Sequence, residues 1–125
     1  MASDYLYLNS RDYLLRLDID QIIYFEADGN YTYIISANKV KHTISMTLAK
    51  MQEILTKSLG EKSLMFARIG KSHIVSVNYI NHIDIPKQIL VLSDGHSFAF
   101  KLMISKDALR KLKNKLTKQK SNIIC

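Results

Sequence analysis

Residues that could carry chemistry are present in this chain but scattered. The four histidines, His42, His73, His82 and His96, stand alone, and the single cysteine, Cys125, is the last residue. A metal site needs His, Cys or carboxylate ligands at short, fixed spacings, so the pattern predicts no metal. One thiol cannot form an internal bridge, and a reducing cytoplasm fits a chain so poor in cysteine. The glycines at 29, 60, 70 and 95 are isolated, whereas a nucleotide-phosphate loop needs them clustered. No nucleophile-elbow pattern occurs, although a Ser/His/Asp triad is assembled in space and stays open from sequence alone. Glu26 and Asp28 would share a strand face at i and i+2, but they lead into a turn, where carboxylates are usually solvated. These residues predict a protein that is not an enzyme, with no cofactor and no small-molecule substrate.

Cations and small polar residues beside turns are the better lead. Arg68 and Lys71 bracket Ile69-Gly70, and Ser72 and His73 follow directly. Gly70 lets a backbone approach a partner closely. Lys and Ser donate to phosphate oxygens, and Lys also donates to guanine in the major groove. Thr32 and Tyr33 lie just past Asp28-Gly29-Asn30, and Lys101 just past Phe98-Ala99-Phe100. The net charge of +7 is graded along the chain. Residues 1–30 hold two basic and six acidic residues, residues 31–100 hold eight and four, and residues 101–120 hold eight and one. Such a gradient suggests an oriented anionic partner, nucleic acid or an acidic membrane surface.

The elements that must position these residues are mostly short strands. Tyr5–Leu8 and Tyr13–Leu17 flank a polar cluster and predict a hairpin. Ile22–Glu26 and Tyr31–Ile35 are rich in β-branched and aromatic residues, with a tight turn at Asp28-Gly29-Asn30 where Gly29 and Asn30 tolerate positive φ. Val40–Ile44 alternates. The period then changes: Leu48, Met51, Leu55 and Leu59 predict a helix, with Thr47 as N-cap and Gly60 at its end. Met65–Ile69 returns to strand character, a mixed segment covers 70–78, and Ile80–Ile85, Ile89–Leu92 and Ser97–Phe100 predict three more strands. Ser105 caps a last helix bearing Leu109, Leu112 and Leu116 on one face. With 125 residues, 47% apolar and 23% charged, and no Gly/Pro/Ser-rich linker, the expectation is one mainly β domain. No apolar run approaches the ~18 residues of a membrane span, and the start lacks the pattern of a secretory signal.

Taken together, four segments resemble the LytTR family of bacterial DNA-binding domains. Ile22–Thr32 is similar to its "I-x-Y-I-E-A-x-G-N-Y-T" signature, and Thr47–Leu55 to its "S-L-x-x-L-E-x-x-L" helix. Phe66–Ser76 is similar to "F-x-R-I-H-R-S-Y-I-V-N", and Ile80–Ile83 with Leu90–Gly95 to "I-x-x-I…L-x-L-x-D-G". Order and spacing hold from about Asp12 to Leu112. The chain departs from the pattern at Gly70, where the family has His, at His73 for Tyr and at Ser76 for Asn. Phe100 also stands in the family's "V-S-R" stretch, where Lys101 keeps the basic position.

The resemblance implies about ten short antiparallel strands in small sheets, one short interior helix and a basic C-terminal helix. Residues 1–11 would form an N-terminal strand or extension, 12–112 the DNA-binding domain, and 113–125 the basic helix end and tail. It implies a cytoplasmic, sequence-specific regulator of transcription in two-component signalling. Such domains contact double-stranded DNA through loops in successive major grooves. Carried over by position, the contacts fall on Asn30, Tyr31 and Thr32, on Arg68, Lys71, Ser72 and His73, and on Lys101. Lys39, Lys41, Lys106, Arg110 and Lys113 are candidates for phosphate contacts. A homodimer on repeated half-sites is a further expectation. The alternatives are a signalling module whose basic helix docks on an acidic partner or membrane surface, its leucine stripe packing on another chain, and RNA binding through Tyr31 and Tyr33.

Overall fold

Leucine and tyrosine alternate at the start of the chain, and the pleat of a strand sorts them by face. In the computed structural model, which describes residues 4–118, β1 (Tyr5–Asn9) and β2 (Leu14–Asp18) form an antiparallel hairpin with Tyr7 opposite Arg16. Leu6, Leu8 and Leu17 are buried, while Tyr5, Tyr7 and Leu14 are exposed. Ser10 fixes the turn, its hydroxyl oxygen accepting from the Tyr13 N–H at 3.2 Å. The end of the expected 113–125 tail, with Cys125, lies outside the described residues, as do the first three residues of the expected extension.

Contacts divide the chain into two units, one through Asn78 and one from Tyr79. The first is built on a five-stranded antiparallel sheet in the order β5-β4-β3-β7-β6. Its strands are β3 (Ile22–Asp28), β4 (Tyr31–Ser36), β5 (Lys41–Ile44), β6 (Phe66–Ile69) and β7 (His73–Ser76). The unbroken apolar run Ile22–Phe25 reflects the central place of β3, where all four residues are buried. Helix α1 (Leu48–Leu59) covers one face, placing Leu48, Met51 and Leu55 in a core with Phe25, Ile34, Phe66 and Ile74. Burying a side chain of that size contributes about 1.5–3 kcal/mol, so this core is what makes the sheet a firm mount. The helix boundaries follow the expectation. Thr47 accepts from the Lys50 N–H at 3.2 Å, and Gly60 takes a φ of 56° at the C-terminal end.

The second unit has a three-stranded sheet in the order β10-β9-β8. Its strands are β8 (Ile80–Asp84), β9 (Ile89–Ser93) and β10 (Ala99–Met103), followed by helix α2 (Lys106–Thr117). Ser105 caps α2 by accepting from the Ala108 N–H at 3.2 Å. Leu109 and Leu112 are buried and Leu116 is half-buried, so two of the three leucines required by the partner-docking alternative are already covered within the chain. The last strand is corrected by two residues from the expected Ser97–Phe100. Asp94 collects the N–H groups of His96, Ser97 and Phe98 at 2.8–3.1 Å and the Ser97 hydroxyl. Those groups therefore close a turn, and β10 begins only at Ala99. The Ser97 hydroxyl bond, with the backbone donors, holds the Asp94 carboxyl well below its ordinary 3.8. No helix among the described residues is long and apolar enough to cross a membrane.

Candidate nucleic-acid interface

The first candidate turn joins β3 to β4, with Asp28 opposite Tyr31 and Gly29-Asn30 as the two-residue loop. Gly29 takes a φ of 59°, a left-handed conformation that glycine adopts without a steric cost. Asn30, expected to share that conformation, keeps a negative φ. Alternation then decides which side chains are available. Asn30 is exposed and Tyr31 is 50% exposed, but Thr32 is fully buried, its hydroxyl donating to the Met46 carbonyl at 2.9 Å. Tyr33 is half-buried. Its hydroxyl donates to Asp28, which raises the phenol above its ordinary value, and the Lys41 amine lies 4.0 Å from its ring centre. Tyr33 thus has its hydroxyl bonded and one ring face covered, while Tyr31, the other residue of the RNA-stacking alternative, stays exposed.

The second turn joins β6 to β7 through Gly70-Lys71-Ser72, with Gly70 at a φ of 59°. Lys71 and Ser72 are exposed. Arg68, a half-buried β6 residue, lies under the turn. Its Nε donates to the Gly70 carbonyl at 2.9 Å and its Nη2 to the Lys71 carbonyl at 3.2 Å. Its Nη1 donates to Gln52 Oε1 on α1 at 2.9 Å. Every nitrogen of the guanidinium is therefore engaged inside the protein.

His73 follows at the start of β7 and is 8% exposed. Its Nε2 is 3.3 Å from Glu26 Oε2, and its ring lies 6.3 Å from that of Tyr24. Burial lowers its pKa, with the Glu26 carboxylate opposing the shift. Thr32 and His73 are thus supporting residues in the geometry, with neither side chain presented to solvent.

The register brings the two turns together. Glu26 on β3 is opposite both Tyr33 on β4 and His73 on β7. The end of β3 is therefore beside the start of β7, and the Ala27 N–H donates to the Ser72 carbonyl at 2.8 Å. Both turns project from the same end of the sheet. Their two nearby carboxylates are bonded within the protein, Glu26 to His73 and Asp28 to the Tyr33 hydroxyl.

Lys39 is placed elsewhere in this sheet. β4 runs away from this end, so the turn carrying Lys39 is at the opposite end of the sheet. Lys39 takes a φ of 70°, and its N–H donates to the Ser36 carbonyl. Lys101 was expected just past a strand end. It is instead in the middle of the edge strand β10, opposite Val91 and exposed. On α2, Lys106, Arg110 and Lys113 are exposed and share one helical face at i, i+4 and i+7. Lys111 pairs with Asp107 at 3.3 Å.

Sequence reasoning did not find Gln52 as part of this arrangement, and it read Glu26 only as half of a carboxylate pair with Asp28 and Tyr33 only as a residue beside the turn. The one available signal was for Gln52, which the Leu48/Met51/Leu55 spacing leaves on the outer face of the helix. Among the described residues, no three His, Cys, Asp or Glu side chains gather into a metal-binding group.

Comparison with known proteins agrees with this geometry. The family model for the LytTr DNA-binding domain matches residues 12–117. A solved structure described as the LytTr DNA-binding domain of a methyl-accepting/DNA response regulator from Bacillus cereus superposes with a TM-score of 0.61 at 21% identity. The match covers 94% of this chain and 99% of that one. No curated protein matches the sequence.

Proposed function

The chain belongs to the LytTR family of DNA-binding domains, and from that premise we propose that it recognises a specific double-stranded DNA sequence to regulate transcription. The observation that carries this reading is the placement of two glycine-led turns at one end of a sheet whose core is fully packed. A turn so mounted can enter a groove without an inserted helix. Asn30 and Tyr31 on one turn and Lys71 and Ser72 on the other are the exposed groups offered to base edges and phosphates. Lys101, exposed on the edge strand of the three-stranded sheet, is a further cation offered to the duplex. Lys106, Arg110 and Lys113 are suited to phosphates, which position a protein without carrying sequence information.

Selection of bound duplexes from a random pool, followed by anisotropy titration at several salt concentrations, tests the reading. The selected duplex should bind at least ~100-fold more tightly than random duplex. Affinity should fall with log salt by about 0.9 log units for each phosphate neutralised. A motif repeated at about one helical turn, with two copies bound per duplex, would identify paired half-sites. If the pool yields no preferred sequence, specific recognition is wrong.

A further inference from the structure

Arg68 was expected to touch DNA, yet its guanidinium is bonded to two turn carbonyls and to Gln52. In a trans peptide the carbonyl and the following N–H point in opposite directions. Holding the Gly70 and Lys71 carbonyls against Arg68 therefore turns the N–H groups of Lys71 and Ser72 away from the protein. Both residues are exposed, and neither N–H has a protein acceptor among the described residues. Successive outward amides in a turn form a concavity that takes an anion. Here the Lys71 amine and the Ser72 hydroxyl belong to the same two residues.

We propose that Arg68 is a positioning residue that shapes the β6–β7 turn into a seat for one DNA phosphate, formed by the backbone N–H groups of Lys71 and Ser72. This rests on the DNA-binding reading and adds to it a contact made by the main chain. Gln52 locks the guanidinium from α1, and the Ala27 N–H holds the Ser72 carbonyl from β3, so the seat is fixed before DNA arrives. Substituting Lys for Arg68 would keep the charge but lose the planar fork that holds two carbonyls at once.

The test uses the full chain, the selected duplex and a random duplex. On addition of either duplex, the amide protons of Lys71 and Ser72 should shift and exchange more slowly, because a phosphate bond carries no sequence information. The Arg68 Nε–H signal should stay where it is in the free protein. Arg68→Met should bind the selected duplex about tenfold more weakly, and its Lys71 and Ser72 amides should no longer respond to DNA. Gln52→Leu, at an exposed helix position, should give a smaller loss of the same kind, and it keeps the question answerable if Arg68→Met does not fold. A shift of the Arg68 Nε–H on DNA binding, with a salt slope lowered by about 0.9 in Arg68→Met, would make Arg68 a direct phosphate contact and overturn the proposal. So would wild-type affinity in a folded Arg68→Met. Amides that respond to random duplex in a chain with no preferred sequence would sink specific recognition but keep the seat. Amides silent to both duplexes would sink the seat alone.

Discussion

The β3–β4 and β6–β7 turns use the same backbone device in opposite electrostatic settings. Each begins with a glycine at a φ of 59°, and each leaves the same end of the sheet. The first has no cation between Asp28 and Tyr33, and its carboxylate is taken up by the Tyr33 hydroxyl. The second carries Lys71 at its tip and Arg68 beneath it. Rigidity and charge are therefore separable. Both turns are held by bonds to side chains or neighbouring strands, but only one carries a formal positive charge on its own residues, the other having Lys41 of β5 over its Tyr33 ring. The difference suggests that the β6–β7 turn supplies most of the affinity, and that the β3–β4 turn discriminates through the neutral groups of Asn30 and Tyr31.

The largest expected effect follows from that division. Lys71→Ala should cost about 1–3 kcal/mol of binding to the selected duplex and relax the preference at one base pair. Asn30→Ala should relax the preference at a different position and leave the salt slope unchanged, since no charge is removed. Competition binding of both variants against single-base substitutions of the selected site makes the comparison. Equal changes in salt slope, or a loss of preference at the same base pair, would break the division of labour.

A smaller effect separates support from contact. Thr32 lies between two residues that differ from it in exposure, and its hydroxyl satisfies the Met46 carbonyl at 2.9 Å. Thr32→Val keeps the shape but leaves that carbonyl unpaired, which should cost about 1–2 kcal/mol of folding stability in denaturant melts. Affinity per folded molecule should stay within about twofold, a shift of roughly 0.4 kcal/mol at most. A larger loss of affinity with unchanged stability would return Thr32 to the contact surface.

Periodicity made much of this scaffold legible. The polar cluster between Tyr5–Leu8 and Tyr13–Leu17 identified the hairpin, and Leu48, Met51 and Leu55 with Thr47 identified α1. The turn glycines at 29, 60 and 70 also stood out. The alternation of a strand puts Tyr31 and Thr32 on opposite faces, whereas the family motif treats them as one block, and the sequence reading followed the motif. Other features depend on partners distant in sequence. The pairing of Glu26 with His73 exists because β7 returns beside β3, and no local pattern encodes that strand order. Arg68 was legible as a cation near a turn, but its acceptors are backbone carbonyls, and these follow from turn geometry instead of residue type. The shift of β10 has the same origin, because Asp94 binds three N–H groups of the segment expected to be strand.

The smallest effect concerns pH and distinguishes the two turns once more. His73 lies at the base of the β6–β7 turn, and burial lowers its pKa below 6.5, although the Glu26 carboxylate pulls the other way. In the unfolded chain the same imidazole titrates near 6.5. Between the folded and unfolded values the unfolded chain holds more protons, so stability rises with pH across that window. The contribution is fully present above the unfolded value and is lost as pH falls toward the folded one. The corresponding group of the other turn, the Tyr33 hydroxyl, titrates above 10.0 and is silent in this range. Lowering the pH from 7.5 to about 5 should therefore lower the protection factor of the Ala27 amide, which bonds the Ser72 carbonyl of the β6–β7 turn, once the intrinsic slowing of exchange in acid is divided out, with no matching term at the β3–β4 turn. His73→Asn should flatten the response at the β6–β7 turn and leave the other unchanged. A wild-type protein that gains stability relative to His73→Asn as pH falls would mean that attraction to Glu26 outweighs burial, and the sign of the argument would reverse.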